Sequence, residues 1–169
     1  MRAFERVAEM VRAHGAAALV RVIAVRGSAP REAGAWMAVR ADGAFHGTIG
    51  GGELEWRALA LAREALARGR GPMRRIDQSL GPDLGQCCGG RVILHVETFD
   101  ARDLPELDEL ARAEGEILCQ LDEAGRVVRT SLPATSLPVG EGGLASEARK
   151  AEWGPGGEST SSVGPHPTP

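Results

Sequence analysis

Two adjacent thiols sit in a run of glycines: Leu80-Gly81-Pro82-Asp83-Leu84-Gly85-Gln86-Cys87-Cys88-Gly89-Gly90. Glycine is the residue for turns with positive φ and for close approach of the backbone to something else. A packed core needs neither. Adjacent cysteines are not the C-x-x-C spacing of zinc sites, and a vicinal pair chelates a tetrahedral ion poorly. Cys87 and Cys88 better suit a soft ligand, a thiol transfer or a redox event. The competing reading is one core cysteine beside an incidental neighbour. Cys119 differs: it alternates with Ile117 and Leu121, which predicts a core position.

Two further glycine-bearing segments could act with the thiols. The first is Gly27-Ser28-Ala29-Pro30-Arg31-Glu32-Ala33-Gly34, in which Arg31 offers a planar guanidinium for an oxyanion, or is simply solvated. The second is Gly47-Thr48-Ile49-Gly50-Gly51-Gly52-Glu53-Leu54-Glu55. It runs into a helix start, where free N–H groups suit an anion. It is neither a P-loop nor a dinucleotide fingerprint. Glu53 and Glu55 would repel a phosphate placed too near, so a tight glycine turn into a capped helix is an equal alternative. His46 could donate to an anion, although a histidine at the end of a hairpin needs no function.

The elements that must position these loops are legible from periodicity. Phe4, Val7, Ala8 and Val11 predict an amphipathic helix over 3–14, stopped at Gly15. Residues 18–25 read as a mostly buried strand. Strands at 36–40 and 44–49 flank Asp42-Gly43, a pair suited to a two-residue hairpin turn. A helix from Gly52 to Ala67 has an apolar stripe of Leu54, Ala58, Leu61, Ala62 and Ala65. Strands at 73–79 and 91–98 bracket the thiol loop. In the latter Val92, Leu94 and Val96 face one way, and Ile93, His95 and Glu97 the other. A short helix at 103–113 and a hairpin at 116–130 follow. The fold class is therefore α+β, a mixed sheet with helices packed against it. Each of the three loops follows a strand, so one sheet edge could present them all.

Composition bounds the rest. The chain has 169 residues and a formal net charge of -3, which disfavours nucleic acid as a general partner. No apolar run is long enough for a membrane span, and charged residues interrupt the start where a leader would lie. Three cysteines, two of them vicinal, make no disulfide framework, so a reducing cytoplasm is the expected setting. Residues 1–131 read as one domain. Residues 132–169, rich in Pro, Gly, Ser, Thr and Glu, read as a disordered tail dispensable for folding.

Taken together, the three loops resemble the signatures of the XdhC/CoxI family, accessory proteins of xanthine dehydrogenase and related molybdenum hydroxylases. The resemblance spans roughly residues 3–98. It implies transient binding of molybdenum cofactor (molybdopterin), assistance in its sulfuration, and insertion into an apo-hydroxylase of the xanthine or carbon monoxide dehydrogenase type. On this reading Ser28, Arg31, Gly50, Gly51, Gly52, Glu53, Gln86, Cys87, Cys88 and Gly89 contact the cofactor. Cys87 and Cys88 are then the reactive thiols and candidate molybdenum ligands. A homodimer and a sulfurtransferase partner are further expectations. Full-length members continue into a Rossmann-type domain, and no strand–glycine loop–helix unit follows residue 130 here. Two rival functions remain at this level: a thiol-dependent redox or sulfur-transfer enzyme using Cys87 or Cys88, and a structural dimerisation module.

Overall fold

A computed structural model of the chain describes residues 3–81, 89–113, 116–123 and 125–132. All lie in the compact unit Met1–Leu137; the second unit, Pro138–Pro169, which holds most of the expected tail, lies outside them. The elements are α1 (Ala3–His14), β1 (Ala16–Arg26), β2 (Trp36–Val39), β3 (Phe45–Thr48), α2 (Gly52–Arg68), β4 (Arg74–Ser79), β5 (Arg91–Asp100), a 3-10 turn (Ala101–Asp103), α3 (Leu104–Arg112), β6 (Glu116–Leu121) and β7 (Val127–Leu132).

β1 to β5 form one sheet in the order β3-β2-β1-β5-β4, and β6 pairs with β7 in a separate hairpin. The α+β class holds. The sheet, expected to be mixed, is antiparallel in every described pairing. β2 and β3, joined by a short turn, can pair only in that sense, because a parallel partner needs a crossover.

Side chains of the central strands alternate between two helical layers. Ala18, Val20 and Val22 of β1 and Val92, Leu94 and Val96 of β5 face α2, meeting Leu54, Ala58, Leu59, Ala62 and Ala65. Leu59, rather than the expected Leu61, completes the helix stripe. Ala17 and Leu19 of β1 and Phe99 of β5 face α1 and α3, meeting Phe4, Val7, Ala8, Val11, Leu107 and Leu110. Burying each large apolar side chain here is worth about 1.5–3 kcal/mol against leaving it in water.

Antiparallel pairing fixes where the loops emerge. β1, β3 and β4 end, and β2 and β5 begin, at the same end of the sheet. The segments after β1, after β3 and between β4 and β5 therefore share that end. The opposite end carries the turn at Gly15 and the β2–β3 hairpin. In that hairpin Arg40 N–H donates to Ala44 O at 2.9 Å and Gly43 N–H to Arg40 O at 3.0 Å. Only Gly43 has positive φ (+89°). This is a three-residue loop with glycine in the left-handed position, not the two-residue turn expected, which would require positive φ at Asp42 as well.

The β6–β7 hairpin is fastened by charge. Arg129 of β7 is paired with Glu97 of β5 and lies 3.1 Å from Glu106 of α3. Its guanidinium also sits 5.2 Å from the Phe4 ring centre and 5.4 Å from that of Phe99. Arg21 completes the group, 2.7 Å from Glu97. Cys119, expected in the core, is exposed on β6. Of the alternating set, Ile117 packs against the layer of α1 and α3 while Leu121, towards the turn, is 56% exposed, so this face of the hairpin is covered at one end only.

Candidate functional site

Loop 1 (27–34) touches both other loops, and glycine makes each contact possible. A Cβ on Gly50 would lie 2.5 Å from Cγ of Pro30. A Cβ on Gly90 would lie 2.0 Å from the carbonyl oxygen of Ser28 and 2.7 Å from that of Arg26. Neither is possible with any other residue, since real Cβ atoms do not approach oxygen or carbon so closely. Loop 1 thus packs against the glycine run after β3 through Pro30, and against the foot of the thiol loop through Ser28.

The thiol loop is closed at its base. Leu80 N–H donates to Gly90 O at 2.7 Å, and the Leu80 side chain is fully buried. Gln86, Cys87 and Cys88 lie outside the described residues. Gly89 is described and exposed at the foot of the loop. Arg91, the first residue of β5, forms an ion pair with Asp77 at 2.5 Å.

The glycine run after β3 already holds an anion of its own. Oε2 of Glu55 accepts from Thr48 Oγ1 at 2.6 Å, Ile49 N at 3.1 Å and Gly51 N at 3.2 Å. Thr48 Oγ1 also accepts from Gly50 N at 3.1 Å. Gly50, Gly51 and Gly52 all have positive φ (+129°, +76° and +62°), and this curls the amides towards one point. The anion-site geometry expected from the sequence is present, and a side chain four residues past Gly51 fills it. The sequence reading takes Glu55 as a charge that repels phosphate; the fold makes it the ligand of the nest.

The other expected contacts sort as follows. Ser28 and Arg31 are exposed on loop 1, and Arg31 forms no ion pair among the described residues. Glu53 points to solvent and pairs with Arg57 at 3.0 Å, one helical turn on, so it supports the helix surface rather than the loop. His46 lies against Trp36, ring centres 5.9 Å apart, in place of an anion.

Sequence reasoning missed the surface beside Glu55. Phe45, Gly52, Glu55, Trp56 and Leu59 line an apolar cleft of about 130 Å³. Trp56 is 70% exposed and Phe45 47%. A tryptophan on the polar side of the helix stripe was the available signal.

The XdhC and CoxI family model matches residues 10–77. No curated protein matches the chain. Among solved structures, the chain is similar to one described as a xanthine dehydrogenase from Bacillus halodurans, with a TM-score of 0.62 and 22% identity. The alignment covers 85% of this chain and 46% of that one, so this chain spans less than half its length. The likeness establishes a shared fold. The family match, residues 10–77, takes in the first two loops and the helix behind them.

Proposed function

We propose that the protein is an accessory factor of molybdenum hydroxylases that binds molybdenum cofactor transiently, assists its sulfuration and hands it to a xanthine dehydrogenase-type client. The observation that carries this reading is the convergence of three loops on one sheet end, two of them inside the matched family segment. Arg31 is the cation at that end suited to the cofactor's phosphate, since the amides of Ile49 and Gly51 are occupied by Glu55. When bound, the cofactor supplies a metal with oxo and sulfido ligands. Cys87 and Cys88 are assigned as its thiolate contacts, on the loop closed by Leu80 and Gly90. Ser28, Gly50, Gly51, Gly52, Gln86 and Gly89 line the approach. The expected homodimer and sulfurtransferase donor belong to the same proposal.

The test is purification from cells that make molybdenum cofactor, with molybdenum and pterin measured per chain. Wild type should carry both. Cys87→Ser and Cys88→Ser should lose them to different degrees, because neighbouring residues on an extended chain face opposite ways. Full retention by the double variant at unchanged stability would remove the thiols from the site. Absence of both from wild type would defeat the reading.

A further inference from the structure

We propose that the cleft between Phe45 and Trp56 binds a planar heterocycle bearing a 2-amino-4-oxopyrimidine edge, with Glu55 as the group that recognises it. The inference deepens the proposed cofactor-binding function and rests on it.

Three observations converge. First, Trp56 is 70% exposed at the start of a helix that buries Leu54 and Leu59, and Phe45 stands across from it on the edge strand β3. Aromatic faces left in water beside a concavity suit a flat ring, which stacks on them or meets them edge to face. Second, Leu59 forms the apolar floor and Gly52 leaves the rim without a side chain. Third, the one charged group in the lining is Glu55, and its two oxygens have different duties. Oε2 takes three donors from the loop, while Oε1 accepts no hydrogen bond among the described residues.

The charge logic of the loop is thereby reversed. The amides of Ile49 and Gly51 are spent on an internal carboxylate, and that carboxylate is the charged group lining the cleft. An ionised carboxylate only accepts. The matching ligand edge must donate, and it must lie on a ring thin enough to enter between the aromatic side chains. The adjacent N–H and NH2 of a 2-amino-4-oxopyrimidine meet both demands. Pterins and guanine share that edge, and phosphate lacks it.

The experiment uses the full chain and the fluorescence anisotropy of 6-hydroxymethylpterin, with guanosine and lumazine as competitors. Lumazine has the pteridine ring with a carbonyl in place of the amino group. The expected result is saturable pterin binding that lumazine does not displace. Displacement by guanosine more tightly than by unlabelled pterin assigns the cleft to a guanine base; the reverse order assigns it to a pterin. Trp56→Ala should weaken binding by about tenfold or more, as expected for loss of a stacking partner. Trp56 is exposed, so that variant keeps its fold. Glu55→Gln should weaken binding similarly at a retained melting temperature. The amide oxygen can serve the loop donors, and the NH2 then faces the ligand's own donors.

Absence of pterin binding, equal competition by lumazine, or unchanged binding by Trp56→Ala would overturn the proposal. So would a Trp56→Ala variant that alters only the sedimentation coefficient, which would mark the cleft as a contact between copies. Retention of molybdenum and pterin by Trp56→Ala purified from cofactor-producing cells would sink this inference alone. Their absence from wild type would sink the underlying function.

Discussion

The carboxylate of Glu97 and the guanidinium of Arg129 meet out of water, 32 residues apart in sequence, with their side chains 7% and 2% exposed. Arg129 is thereby the pin between the hairpin and the sheet. Removing one partner of a buried pair leaves a charge without compensation, which costs about 3–5 kcal/mol. Arg21 still contacts Glu97 at 2.7 Å, so Arg129→Leu should fall near the lower end of that range. Urea denaturation measures it, and hydrogen exchange should show residues 116–132 opening first. A loss below about 1 kcal/mol would mean that the hairpin is held by something else.

Close backbone contact should make Gly90 the least replaceable of the site glycines. Gly90→Ala drives a methyl group into the carbonyls of Ser28 and Arg26. Gly51→Ala meets open space and bears only the backbone strain of φ 76°, ψ -171°, a region nearly reserved for glycine, about 1–3 kcal/mol. Thermal melts should rank Gly90→Ala well below Gly51→Ala. Equal melting temperatures would mean that loops 1 and 3 separate at little cost.

His95 should make the fold sensitive to mild acid. Burial, and then the positive charge of Arg21, lower its pKa to about 4 from an ordinary 6.5; Arg75 adds to this, and Glu97 opposes it. Its Nε2 is buried and has no hydrogen-bond partner. The folded protein therefore keeps His95 neutral where the unfolded chain is already protonated. With more protons bound in the unfolded state, stability must fall as pH drops from about 6.5 to about 4, and His95 contributes no slope above that window. The slope of melting temperature against pH in that window should flatten in His95→Gln. An unchanged slope would assign the acid sensitivity to other groups.

Cys119 should be labelled by iodoacetamide in the folded protein, because it is exposed on β6. Nη1 of Arg21 donates to its sulfur at 3.9 Å. Mass spectrometry after brief labelling should find Cys119 modified at native conditions, and Cys119→Ser should change stability by less than about 0.5 kcal/mol. Protection of Cys119 until denaturation would place it under a covering surface.

The helices and strands could be read from the chain because each carries a regular apolar period against a two-sided sheet. That each of the three loops follows a strand was legible too, but their shared end depends on the strand order and antiparallel sense that only the folded sheet supplies. What could not be read depends on three-dimensional closure. Capture of Glu55 by the glycine run requires positive φ at three successive glycines, and spacing alone shows only that an acid lies nearby. The Glu97–Arg129 pair joins segments whose approach only the folded hairpin creates. Cys119 had the alternation of a buried strand, but the hairpin meets the core through Ile117 and Arg129, and how far along the strand that contact reaches is set by the folded hairpin. Cys87, Cys88 and Gln86 fall outside the described residues, so their roles rest on the loop chemistry read from the sequence.

The turn at Gly15 closes α1 onto β1 with a single bond, Gly15 N–H to Val11 O at 2.8 Å, and a Cβ there would meet nothing within 4 Å. It lies at the end of the sheet away from all three loops. The chain can therefore be lengthened at this turn with little entropic penalty and without crowding the end that carries the three loops. A peptide tag or a small fluorescent reporter spliced between His14 and Ala16 would give a labelled chain whose loop-bearing surface is left as it is.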